Sequence, residues 1–162
     1  MKQIILIGIA SALTGALMAQ QPAAQPKTYT SAAEITAMMA KAKSDRKQDQ
    51  ANYIQRILGL TPYTANLEYR AAVGPAAVHV KEAELFYVID GSGTLVTGGK
   101  LTGITNPGNA DNPQGTGIEG GSSRAVAKGD FFIVPENTPH WFSKIDGTLV
   151  LMSLHVPRVD GK

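Results

Sequence analysis

From Tyr53 onward the sequence runs in short apolar or alternating segments, each cut off by turn-forming residues. That pattern restricts the chain to many short β-strands, closed into a sandwich or a barrel. The strands it predicts are Asn52–Leu58, Tyr63–Arg70, Ala76–Lys81, Glu84–Asp90, Gly93–Thr97, Ser123–Val126, Phe131–Val134, His140–Lys144 and Thr148–Val156. Asp90-Gly91, Gly98-Gly99, Gly129-Asp130, Pro135-Glu136-Asn137 and Asp146-Gly147 read as the turns between them. Seventeen Gly and nine Pro agree with that turn density. Between Gly98 and Ser122 the chain is rich in Gly, Asn and Pro and has no periodicity, so it reads as one long loop.

The segment ahead of the strands differs. Ser31 followed by Glu34 is a capping box, and Ile35, Met38, Met39 and Ala42 recur at helical spacing, which predicts a helix over Ala32–Ser44. Earlier still, Lys2, the apolar stretch Ile4–Leu17 and the small residues Ala16 and Ala19 follow the order of a secretory signal peptide. The apolar stretch is shorter than the roughly 20 residues of a spanning helix, and Gly8, Ser11, Thr14 and Gly15 dilute it, so stable membrane insertion is not expected. The expected organisation is a signal peptide at 1–19, a linker at 20–30, a helical segment at 31–50 and a barrel at 51–160. The formal net charge is only +2 and the basic residues are scattered, which gives nucleic-acid binding no support. With no cysteine, disulfides, zinc–thiolate sites and thiol catalysis are excluded.

Two stretches interrupt apolar strands with polar residues. The first is Ala77-Val78-His79-Val80-Lys81-Glu82-Ala83-Glu84, and the second runs from Gly129 to Trp141. In strand geometry Glu84 shares a face with Phe86 and Val88, which directs its carboxylate into the barrel. A buried carboxylate is costly unless paired or bound to metal. His79 lies just before it, and His140 approaches from a strand more than fifty residues later. Two imidazoles and a carboxylate around one point suit a single divalent ion: Fe, Mn, Ni, Co, Cu or Zn.

On these residues the chain resembles the cupin superfamily, whose first motif is G-x5-H-x-H-x3–4-E-x6-G and whose second is G-x5-P-x-G-x2-H-x3-N. His79, Glu84 and Gly91 stand at the spacing of the first, and Gly129, Pro135 and His140 at that of the second. The resemblance implies an all-β jelly-roll barrel (a double-stranded β-helix) behind a short N-terminal helix. It also implies His79, Glu84 and His140 as metal ligands, and a homodimer. Ala77 stands where the family's first histidine falls, Asn137 replaces a motif glycine, and Lys144 the motif asparagine. Three protein ligands still make a catalytic site with positions open to water or substrate.

His155 is open to two readings. Were Asp146-Gly147 a two-residue hairpin turn, His140 would face Ser153, and His155 would lie two residues along on the same face. It is then a fourth ligand or, the favoured reading, a hydrogen-bonded histidine of the rim. Glu82 reads as a solvated turn residue, Trp141 as packing, and Tyr69, Arg70, Tyr87 and Lys144 as surface or inter-sheet residues. The implied function is that of a periplasmic or secreted cupin in which one divalent metal acts on a small organic molecule, as an oxygenase, isomerase or lyase. Glu84 is ligand or general base. The alternative is a non-catalytic ligand-binding cupin without a functional metal site. Expressed in a bacterium with working secretion, the mature protein is expected to begin at Gln20; an intact mass retaining residues 1–19 would count against export.

Overall fold

The computed structural model describes residues 26–159; the signal peptide expected at 1–19 and the first part of the linker lie outside them. The capping box forms as the sequence predicts. The Ser31 hydroxyl accepts from the Glu34 N–H at 3.2 Å while the Glu34 carboxylate accepts from the Ser31 N–H at 2.7 Å. Helix α1 (Ala32–Asp45) follows, and Ile35, Met38 and Met39 dock on a small apolar cluster of Ile57, Ala65, Leu67 and Val150.

Nine strands follow among the described residues: β1 (Asn52–Leu60), β2 (Tyr63–Arg70), β3 (Ala76–Ala77), β4 (Glu82–Thr97), β5 (Lys100–Ile104), β6 (Gln114–Glu119), β7 (Ser122–Ala127), β8 (Phe131–Val134) and β9 (His140–Pro157). Every pairing is antiparallel. The hydrogen-bonded order is β1-β2-β9-β3-β6-β5, and β4 joins it through β9 while also pairing with β7 and β8. The result is the all-β jelly roll expected from the sequence, with one helix laid on its outside.

Three local expectations are corrected. Asp90-Gly91 and Asp146-Gly147 are not turns. β4 and β9 each run straight through them, and they meet where the two strands bend together with a shift in register between Gly91 and Gly93. The sequence signal is the same as for a hairpin because both need left-handed backbone: φ is +82° at Gly91 and +76° at Gly147. The segment 98–122 is not one loop, since β5 and β6 form a hairpin within it. Gly99, Gly103, Gly115 and Gly121 serve close approach there, and a Cβ at Gly115 would lie 2.2 Å from the Thr102 carbonyl oxygen. The strand expected at Ala76–Lys81 ends at Ala77. Beyond it, Val78 and Val80 donate their N–H groups to the Pro113 and Asp111 carbonyls at 3.0 and 2.9 Å.

The inner faces divide the barrel. Phe86, Val88, Leu95, Val126, Val134, Phe142, Leu149 and Leu151 fill one part. The other part is polar, because β2 turns Asn66, Glu68 and Arg70 inward and leaves Ala65 and Leu67 to α1. The two left-handed glycines of the bend provide a test. At Gly91 a Cβ would meet the Thr148 carbonyl oxygen at 1.9 Å, whereas at Gly147 nothing lies within 4 Å. Asn tolerates the left-handed conformation. In urea unfolding, Gly147→Asn should therefore cost about 1 kcal/mol or less, and Gly91→Asn roughly 3 kcal/mol. Equal costs would show that the two strands do not press together there.

Candidate functional site

Strand alternation carries Glu84 inward with Phe86 and Val88, and the residue is 4% exposed. Such burial removes water from a charged group, so its neighbours must replace that solvation. Three histidines do so. His79 Nε2 lies 3.3 Å and His140 Nε2 3.2 Å from Glu84 Oε2, and His155 Nε2 lies 3.3 Å from Glu84 Oε1.

Each imidazole is held from behind by its other nitrogen. His79 Nδ1 sits 2.7 Å from Asn112 Oδ1, His140 Nδ1 3.2 Å from the Thr138 carbonyl oxygen, and His155 Nδ1 3.0 Å from Glu82 Oε2. All three partners are acceptors, so each Nδ1 carries the hydrogen. Neutral rings then present three Nε2 lone pairs to a carboxylate that also only accepts. Lone pairs facing at about 3 Å are unfavourable unless a cation lies among them, whether protons or a metal ion. Where protons fill that role and the rings are charged, burial opposes charge on Glu84, but hydrogen bonds from the protonated His140 and His79 outweigh it and hold its carboxyl well below the usual carboxylate range. Burial likewise works against charge on His79, yet its bonds to Glu84 and Asn112 raise it above its ordinary 6.5.

The scaffold behind these contacts is local. Asn137, at φ +54°, takes the left-handed turn in place of the motif glycine, and its N–H donates to the His79 carbonyl at 2.7 Å. The turn that delivers His140 thereby fixes the backbone of His79. Asn112 belongs to the connection between β5 and β6. There Asn106 donates to the Asn112 carbonyl at 2.9 Å and accepts from the Gln114 N–H at 2.5 Å, while Asn109 accepts from the Asn112 N–H at 3.1 Å.

A cavity of about 180 Å³ opens over the cluster. Its wall includes Asn52, Asn66, Glu68, Arg70, Ala77 and Gln114. Arg70 donates to Glu68 Oε2 through Nε at 2.9 Å and Nη2 at 2.5 Å, and its guanidinium lies 4.7 Å over the Phe142 ring. Ser153 donates to Glu68 Oε1 at 2.7 Å. Asn52 Nδ2 donates to Glu68 Oε2 at 3.3 Å, which leaves the buried Asn52 Oδ1 without a partner.

His79, Glu84 and His140 are brought together, with one ligand-type atom from each within 4.8 Å of the others; His79, Glu82 and His155 form a second such group. Glu82 is therefore no solvated turn residue: it is half-buried and holds His155. His155 reaches the site although the hairpin used to place it does not exist, since it lies directly opposite Glu84 across β4 and β9. Arg70 is an inward residue. Tyr87 and Lys144 are exposed, away from the cavity, and Trp141 points elsewhere, its indole N–H donating to the Gly74 carbonyl at 2.9 Å. Asn112, Asn52 and Glu68 escaped the sequence reading; for Asn112 the signal was the clustering of Asn106, Asn109 and Asn112 in one turn-rich segment.

Comparison with curated proteins returns no match. Among solved structures, the chain is similar to KdgF from Halomonas sp. at 17% identity, with 71% of this chain and 86% of that one covered and a TM-score of 0.51. It is similar to the DMSP lyase DddQ from Ruegeria pomeroyi DSS-3 at 15% identity, with 86% and 71% covered and a TM-score of 0.53. At these identities the likeness is one of fold. The family model described as Cupin matches residues 46–155, two-thirds of the sequence and all but the tail of the barrel, and the chain belongs to that family.

Proposed function

We propose that this protein is an exported cupin that holds one divalent metal ion through His79, Glu84 and His140 and acts with it on a small polar organic molecule. The observation that carries the reading is the convergence of Nε2 atoms on Glu84 while every Nδ1 is occupied. Two imidazoles and a carboxylate are the donor set of a borderline divalent cation. When bound, such an ion polarises a substrate oxygen or activates water. Glu84, held ionised, serves as ligand or as proton acceptor, not as an acid. Asn112 and the Thr138 carbonyl keep the rings oriented.

The wall of the cavity supports a neutral polar ligand. The positive charge of Arg70 is already matched by Glu68. The side-chain amides of Asn66 and Gln114 on that wall can donate to or accept from a hydroxyl or amide group. An oxygenase, isomerase or lyase reaction on such a molecule fits this arrangement, and the sequence of residues 1–19 supports export.

Protein purified without a His-tag and reconstituted with Fe, Mn, Ni, Co, Cu or Zn should retain one metal per chain by elemental analysis. His140→Ala and Glu84→Ala should lose it while still unfolding cooperatively. Wild-type protein that retains none of these metals would leave the ligand-binding alternative, which the alanine at position 77 favours.

Proton linkage gives a second check. In metal-free protein the raised His79 contributes stability that is complete below its ordinary 6.5 and is lost as pH rises through its raised value. The lowered Glu84 contributes stability that is complete above its ordinary 4.5 and is lost as pH falls through its lowered value. The chelated protein should thus resist urea best between pH 4.5 and 6.5. Metal needs the His79 lone pair free, so metal affinity should keep rising through and above pH 6.5, with proton release visible by calorimetry in two buffers.

A further inference from the structure

Ala77 leaves the position of the family's first histidine without a donor atom. It pairs with His140 in the sheet, so its methyl group shares the inward face and lines the cavity. A metal site here would be one nitrogen short of the family's usual four, and the structure supplies a candidate from a different strand.

Along β9 the residues Leu149, Leu151, Ser153 and His155 share one face. The first three are fully buried, so His155 extends an inward row. It lies opposite Glu84 in the β4–β9 register. Its Nε2 is 3.3 Å from Oε1, the carboxylate oxygen that His79 and His140 do not face. Its ring meets that of His79 edge-on at 4.8 Å between centroids. Its Nδ1–H is taken by Glu82 Oε2 at 3.0 Å, which leaves Nε2 as its only donor atom. A histidine of the rim needs none of this: one hydrogen bond to Glu82 would satisfy it, with no reason to aim its lone pair at a second carboxylate. Glu82 itself is engaged with that N–H, which makes it the orienting partner of His155 instead of a rival ligand.

We propose that His155 is the fourth protein ligand of the metal centre. The donor lost at Ala77 on β3 has been replaced from β9, with Glu82 holding the ring. The Ala77 side of the centre then faces the cavity through a methyl group. This inference rests on the metal reading above, and the experiment separates the two.

Untagged protein is loaded with Cu(II), and the coordinated imidazoles are counted by pulsed electron paramagnetic resonance, alongside affinity by chelator competition. Wild type should show three imidazoles and His155→Gln two, with affinity lower by about tenfold or more. Glu82→Gln should lower affinity by roughly 10–100-fold while keeping three. His155→Ala combined with Ala77→His should return the count to three, which also guards against a single variant that folds poorly. Two imidazoles in wild type and an unchanged count in His155→Gln would overturn the assignment and leave the metal reading standing, even if affinity fell. Failure of wild type to bind Cu(II), Zn or Fe at all would overturn the metal reading and this assignment with it.

Discussion

The pairing of β4 with β9 is the constraint on which the rest of the molecule depends. These strands, of 16 and 18 residues, run antiparallel through a shared bend and contribute most of the apolar interior. The same pairing sets Glu84 opposite His155 at one end and Thr97 opposite His140 at the other. Because strand side chains alternate with a period of two, the register that buries Phe86, Val88, Leu149 and Leu151 also forces Glu84, Ser153 and His155 inward. A slip of one residue would expose the core and dissolve the site together. Gly91 and Gly93 make that pairing possible, since a Cβ on either would strike the backbone of β9.

Once Glu84 is carried inside, its charge becomes the organising problem of the polar half of the barrel. A buried carboxylate needs a cation, and the imidazoles around it cannot act as one while neutral. Their Nδ1 partners come from three separate segments: the β5–β6 connection, the turn before β9 and the start of β4. That dispersal makes ring orientation a property of the folded barrel as a whole. It also explains the density of asparagine in the β5–β6 connection, where side-chain amides stand in for the backbone hydrogen bonds that an irregular segment lacks.

Much of this was legible in residue order. The alternation around Phe86 showed that Glu84 faces inward, and two separated motifs named His79, Glu84 and His140. The capping box placed α1 to within one residue at its end. Other features were hidden for physical reasons. Asp90-Gly91 and Asp146-Gly147 carry the composition of a turn because a tight bend within a strand pair makes the same demand on φ. In β2 the alternation of Ala65, Leu67 and Tyr69 with Asn66, Glu68 and Arg70 reports two unlike faces, but not which one is inside. The helix covers the apolar face, so the polar face lines the cavity, and Arg70, which residue order alone reads as a surface or inter-sheet residue, lies inside. A hairpin at Asp146-Gly147 would place His155 inward by register; that hairpin does not exist, and the true partner strand gives His155 the same parity by setting it opposite Glu84.

The charges inside the cavity close on themselves. Glu68 and Arg70 cancel as a pair with little exposure. Beyond them Glu84 contributes a buried negative charge facing all three histidines, and the half-buried Glu82 adds a second behind His155. A single divalent ion neutralises that pair, whereas a metal-free site must gather protons on imidazoles to do the same. The proposed divalent ion would answer the facing lone pairs and the buried charge of Glu84 together. On the proposed reading, the formal charges of the ion, Glu84 and Glu82 would cancel, as those of Arg70 and Glu68 already do. The wall around that centre carries the amides of Asn52, Asn66 and Gln114 beside the apolar Ile54, Pro75 and Ala77, and on the proposed reading such a surface would discriminate among neutral molecules by the placement of their hydrogen-bonding groups.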